Sequence, residues 1–103
     1  MDKERRLEFH KILAGLLGSS NVYFQPPSTV KMQYPCIVYG RNKLETSYAD
    51  NLAYSSRLAY TVTVIDANPD SVIPEKVSAL PLCRFDRHYT AENLNHDVFN
   101  VYF

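Results

Sequence analysis

Apolar residues recur at helical spacing twice along the chain and alternate through most of the rest. In residues 2 to 17, Phe9, Ile12, Leu13, Leu16 and Leu17 follow an i, i+3, i+4, i+7, i+8 pattern, while Lys3, Glu4, Arg5, Glu8 and Lys11 lie mostly elsewhere. That spacing predicts an amphipathic helix with one buried stripe. Gly18 follows it and suits a left-handed C-terminal cap, since glycine alone enters that backbone region without a Cβ clash. The short β-rich run "NVYFQ" comes next and is stopped by Pro26 and Pro27. Their missing N–H groups confine such a segment to a sheet edge.

From "YPCIVYGR" onward the period is two. A second extended run, "RLAYTVTVIDA", places Leu58, Tyr60, Val62 and Val64 on one face and Thr61 and Thr63 on the other. Between these runs, "NKLETSYADNLAYSS" is polar and contains tyrosine, with "ADN" as the expected turn of a long hairpin. "NPDSVIPEKVSALP" predicts a second helix: Asp70 or Ser71 as its cap, Pro74 tolerated in the first turn, and Ile73, Val77 and Leu80 as the buried stripe, with Pro81 ending it. The final runs "LCRFDRHYT" and "DVFNVYF" both alternate. The first is expected to share one face between Phe85 and Tyr89, the second between Phe99, Val101 and Phe103.

The hairpin carries a geometric consequence. Arms over 36 to 48 and 54 to 66 span roughly 43 Å at about 3.3 Å per residue, against a diameter near 34 Å for a compact chain of this length. Such a ladder bends sharply or protrudes, and a protruding ladder exposes edges that a partner must cover. Leu44, Tyr48, Leu52 and Tyr54 are the apolar groups it would carry, and they are the expected subunit interface.

Composition narrows the function classes. The 103 residues fit one domain, 1–103, and 11 Lys and Arg balance 11 Asp and Glu. A chain without net charge has no general field to hold nucleic acid or an anionic membrane by counterion release, so a free-standing DNA binder is disfavoured. No run approaches the roughly 20 apolar residues of a membrane span, and "MDKERRLEFH" carries both charges where a signal peptide needs an apolar stretch, so a cytoplasmic site of synthesis is expected. With three glycines, Gly15, Gly18 and Gly40, no phosphate-cradling loop can be built, which excludes nucleotide hydrolysis.

The last two dozen residues hold the only dense set of chemical groups: Cys83, Asp86, His88, His96 and Asp97. Strict alternation puts Arg84, Asp86 and His88 on the polar face opposite Phe85 and Tyr89, with His96 and Asp97 at the far end of a polar loop. The set has no His-x-x-x-His or Cys-x-x-Cys spacing, and Cys83 has no orienting third group for nucleophilic work. Cys36 and Cys83 stand 47 positions apart and read as buried free thiols. Neither catalytic, cofactor nor metal residues are expected. The alternative from another class is a small metal-binding protein or enzyme using His88 and His96. Eight Tyr and five Phe without Trp suit core and interface packing better than base stacking, because Arg41, Lys43 and Arg57 near the hairpin are offset by Glu45 and Asp50.

The strings "YPCIVY", "VIDANPDSVIP" and "FDRHYTAENLNHDVFNVYF", with "VYFQPPSTVKMQYPCIVYGRNKLET" and the amphipathic helix ahead of them, resemble the small tail-terminator or tail-completion proteins of long-tailed bacteriophages, typified by the tail terminator of phage lambda. The resemblance covers nearly the whole chain and lies in the pattern, not in a chemical signature. It implies an α+β domain, two helices packed on a mixed, mainly antiparallel sheet, to which the pattern adds a long protruding β-hairpin. It also implies a homo-oligomer, a hexameric ring that caps the tail tube, meets the tube protein on one side and the head connector or stopper protein on the other, and lets DNA cross its lumen without sequence-specific binding. The expected location is the virion tail and neck, with assembly in the host cytoplasm. A head-completion stopper or adaptor of the neck is the alternative within that class. No catalytic or metal residue carries over.

Overall fold

The computed structural model describes residues 3–49 and 52–103, and the side chains of 43–58 lie outside that description. Its elements are α1 (Lys3–Leu17), β1 (Val22–Phe24), β2 (Cys36–Ala49), β3 (Leu52–Asp66), α2 (Ile73–Ser78), β4 (Cys83–Ala91) and β5 (Leu94–Tyr102). They form an α+β fold in which one five-stranded sheet, ordered β1-β2-β3-β5-β4, is antiparallel except for the β1–β2 pair.

Register explains the core. Ile37 and Tyr39 on β2 align with Val64 and Val62 on β3, and Val62 and Tyr60 align with Phe99 and Val101 on β5. Cα partners point to one side of a sheet, so these residues share a face, and Phe9 and Leu13 of α1 with Ile73 and Val77 of α2 pack on it. Burial of such side chains, at about 1.5–3 kcal/mol each, is what holds the helices down. Phe9 is the hub, edge-on to Tyr39 and close to Tyr60 and Phe103. The expected stripe of α1 is narrower than its sequence implies, because Ile12 is 38% exposed. Gly18 takes φ 79° and its N–H reaches Ala14 O at 2.9 Å, the expected left-handed cap.

β1 is an edge strand tied to β2 by Gln25 (φ 43°): its N–H donates to Tyr39 O and its Oε1 accepts from Arg41 N, both at 2.9 Å. Gly40 makes room for that clamp, since a Cβ there would stand 3.1 Å from Gln25 Cγ.

Three expectations fail here. Asp70 and Ser71 do not cap α2; Val72 is its N-cap and makes no side-chain cap bond. A cap serves the N–H groups of the second and third helical residues, and the second here is Pro74, which has none. Ser71 Oγ accepts instead from Ile73 N at 3.3 Å. The polar stretch before Asp97 is not a loop: only Glu92 and Asn93 turn, both at positive φ (52° and 64°) as a tight primed hairpin requires, and Leu94, Asn95 and His96 are strand. Finally, Phe85 and Tyr89 do not share a face. A bulge between Phe85 and Arg87 inserts Asp86, so Phe85 aligns with Phe99 while Tyr89 aligns with His96.

The radius of gyration is 14.6 Å, above the roughly 13 Å of a compact chain this size, and the extents are 51 × 24 × 23 Å. Residues 50 and 51 of the expected "ADN" turn, and the side chain of Leu58, lie outside the described residues. No described helix is long and apolar enough to cross a membrane.

Candidate functional site

Leu44, Tyr48, Leu52 and Tyr54, the expected interface, have side chains outside the described residues. The backbone around them is paired from Lys43↔Ala59 to Ala49↔Leu52. β1 accompanies β2 only as far as Tyr39, and β5 accompanies β3 only from Ala59 onward. Past those rungs, β2 and β3 have each other alone as strand partners among the described residues.

The C-terminal set of polar groups is divided by the bulge. His88 aligns with Asp97 and Asp97 with Val64, which puts both on the helix-bearing face and not, as alternation implied, opposite Phe85. His88 Nδ1 meets Asp97 Oδ1 at 2.8 Å, a largely solvated pair of the kind worth about 0–1 kcal/mol. His96 is on the opposite face, its Nδ1 3.2 Å from Leu94 O. Cys83 aligns with Val101 on the helix-bearing face, with the Phe85–Phe99 pair between it and His88. Burial pushes the thiol of Cys83 up and that of Cys36 to about 11, which keeps both protonated and poor as nucleophiles or ligands. Among the described residues no group of three His, Cys, Asp or Glu is placed to hold a metal ion, and no buried side-chain N or O lacks a partner. The five residues singled out in the sequence are therefore not one site.

What the bulge does bring together was missed. On the face turned away from the helices, Arg84, Arg87 and Tyr89 stand in a row along β4, aligned with Asn100, Val98 and His96 of β5. Tyr89 and His96 stack at 4.6 Å with ring planes 10° apart, and the Arg87 guanidinium lies 5.9 Å from the Tyr89 centroid. At the other end of the row Asn42 Nδ2 donates to Asn100 Oδ1 at 3.1 Å, beside a depression of about 490 Å³ lined also by Arg84 and Tyr102. Strict alternation separates Arg84 from Arg87 and Tyr89. The usable signal was that "RFDRHY" breaks hydrophobic alternation at Arg87, a cation on the face that strict alternation gives to Phe85 and Tyr89, and an edge-strand bulge at Asp86 absorbs the break.

A second cleft, of about 310 Å³, lies where Phe103 meets α1. It is largely apolar, and its one guanidinium is engaged: Arg5 Nε donates to Phe103 O at 2.8 Å and its Cζ sits 4.7 Å over the Phe103 ring. The cleft anchors the last strand to the first helix. No protein-family model matches the chain, and no curated protein matches it.

Proposed function

We propose that the chain is a structural protein of the neck of a long-tailed bacteriophage, forming a hexameric ring that ends the tail tube and joins the tail to the head. The observation that carries this reading is the β2–β3 ladder, which continues past Tyr39 and Ala59 where β1 and β5 no longer flank it. Open ladder edges invite strand pairing from another chain unless something covers them. A neighbouring copy that supplies the cover through a heterologous contact closes a ring. The sequence of the ladder, with Leu44, Tyr48, Leu52 and Tyr54 among polar residues, suits such a junction. The resemblance of the sequence strings to tail-terminator proteins supplies the biological setting, with the tube protein and the head connector as partners and the virion as location.

Sedimentation velocity of the purified chain, alone and mixed with purified tail tubes and heads, tests the reading. The expected result is a six-copy species that binds tube ends and halts their growth. Replacing Tyr48 and Tyr54 together by Ser is expected to leave a folded monomer and no ring. A chain that stays monomeric with tubes present, or tubes that lengthen unchecked, overturns the proposal. Binding to heads alone moves the protein to the stopper position.

A further inference from the structure

The face of the sheet away from the helices is not uniform. On the β1 side the segment 26–35 folds back, with Gln33 N donating to Tyr23 Oη at 3.1 Å and Cys36 fully buried. On the β5 and β4 side, Arg84, Arg87 and Tyr89 are exposed. Their floor is low, made by Thr61, Thr63 and Val98. We propose that this open half of the sheet binds single-stranded nucleic acid, the Tyr89–His96 stack receiving a base and Arg84 and Arg87 the adjacent phosphates.

Charge and shape both select that occupant. Arg84 has no ion-pair partner among the described residues, while Arg87 is ion-paired with Asp86, Nη1 to Oδ2 at 3.0 Å, in an exposed contact of the kind a phosphate can displace. The other carboxylate of this hairpin's strands, Asp97, is on the opposite face with His88. Chain-wide neutrality therefore hides a local excess of one positive charge along the row, the two guanidiniums standing against the single carboxylate of Asp86. Successive same-face positions on a strand are about 7 Å apart, so the row offers cation, cation and ring at a repeat that an extended nucleotide chain can follow. Aromatic groups on a flat sheet take unstacked bases without regard to sequence, while arginines track the backbone. The Asn42–Asn100 pair retains free amide hydrogens and lone pairs at the end of the row for a further polar contact. A protein partner would require an apolar centre, and the aliphatic groups beneath the row, Val98 and Ile65, are buried at 2% and 6% exposure, while the exposed Leu82 stands at its end, in the lining of the depression. A duplex hides its bases from the Tyr89 ring.

The proposal rests on this face alone and not on ring formation. Fluorescence anisotropy of the full chain with a labelled oligo-dT of about fifteen nucleotides, a length that covers one sheet-sized site, at ~50 mM salt, tests it. Binding is expected to be several times tighter for the single strand than for a duplex of the same length. With two phosphates neutralised, log Kobs should fall against log salt with a slope near −1.4, and Arg84→Ala should reduce that slope by about 0.7. Tyr89→Ala should weaken binding about tenfold, while Lys11→Ala, exposed on α1, should leave it unchanged. The two substituted residues of the row, Arg84 and Tyr89, are exposed, and circular dichroism of each variant checks the fold. No binding at that salt, equal binding of the duplex, variants that bind as the parent does, or self-association that Arg84→Ala and Tyr89→Ala abolish would each overturn the assignment.

Discussion

β4 and β5 are antiparallel partners of nine residues each, joined by a two-residue turn and each carrying one Phe, one Tyr, one His and one Asp, yet they behave as different kinds of structure. β5 lies between β3 and β4, and its Val98, Phe99 and Val101 are buried. β4 has a neighbour on one side only, and from Arg84 to Ala91 every residue is exposed. Phe99 is 2% exposed while Phe85, its cross-strand partner at 5.5 Å between ring centroids, is 55% exposed. The difference shows that position in the sheet, not residue type, decides whether an alternating pattern is under constraint. A central strand must keep its register because a slip of one residue would turn its apolar set to water. An edge strand can accept an extra residue, and β4 does, at Asp86.

The sharpest way to break that comparison is to remove one residue from each strand. Deleting Asn100 turns either Phe99 or Val101 out of the core, and the expected outcome is insoluble protein. Deleting Asp86 removes the bulge and leaves Arg84, Phe85, Arg87, His88 and Tyr89 on the faces they now occupy, so a soluble protein with a cooperative melt near the parent's is expected. Soluble expression and thermal melts of the two deletions are the check. If both fail, β4 is as constrained as β5 and its exposure in the single chain misrepresents it.

This contrast also explains what was legible in the sequence. α1 and the core faces of β3 and β5 follow from periodicity, because each of those segments is held by burial on a single face, while the Gly18 cap and the edge position of β1 follow from backbone chemistry, the freedom of glycine and the missing N–H groups of Pro26 and Pro27. Asp86 could not be placed that way, since nothing packs on β4 tightly enough to enforce alternation. Leu94, Asn95 and His96 read as loop because they are mostly polar, yet they pair with β4, and Asn95 and His96 also pair with β3. Backbone hydrogen bonding, which leaves no mark on hydropathy, makes them strand. The face assigned to His88 and the row formed by Arg84, Arg87 and Tyr89 were lost with the bulge. The cap of α2 was misread because Asp70 and Ser71 satisfy the usual preference, and only the absent N–H of Pro74 argues against them.

Truncating the facing rings gives a graded form of the comparison. Phe99→Ala empties a filled site and is expected to cost about 3–5 kcal/mol. Phe85→Ala removes a ring that is more than half exposed, and an effect below about 1 kcal/mol is expected, as for surface substitutions generally. Urea unfolding with unchanged slope gives both values. Equal losses would show that β4 is covered when the protein is assembled under the assay conditions.

The smallest effect concerns polar groups, and again contrasts the sheet centre with its edge. Tyr39 on β2 is 1% exposed, and its hydroxyl lies 2.7 Å from His10 Nδ1 on α1. Burial raises the pKa of that hydroxyl, and the neighbouring Arg6 guanidinium works against the rise. A Tyr39 O–H that donates to His10 Nδ1 needs that nitrogen unprotonated, as it is in one tautomer of the neutral imidazole. Burial, and then the charge of Arg6, lower the His10 pKa from its ordinary 6.5. The folded state therefore resists a proton that the unfolded chain accepts. Stability from this group is complete above about pH 6.5, begins to fall as the unfolded state protonates below that, and is lost as pH drops through the lower folded value. Asn in place of His10 keeps an acceptor in reach of Tyr39 and cannot take up a proton. Thermal melts from pH 7.5 down to 5.5 should show the parent losing more stability than His10→Asn, the difference opening below about pH 6.5. Parallel curves would mean that His10 is as well hydrated as a side chain on β4, and that the seat of α1 on the sheet does not depend on its charge.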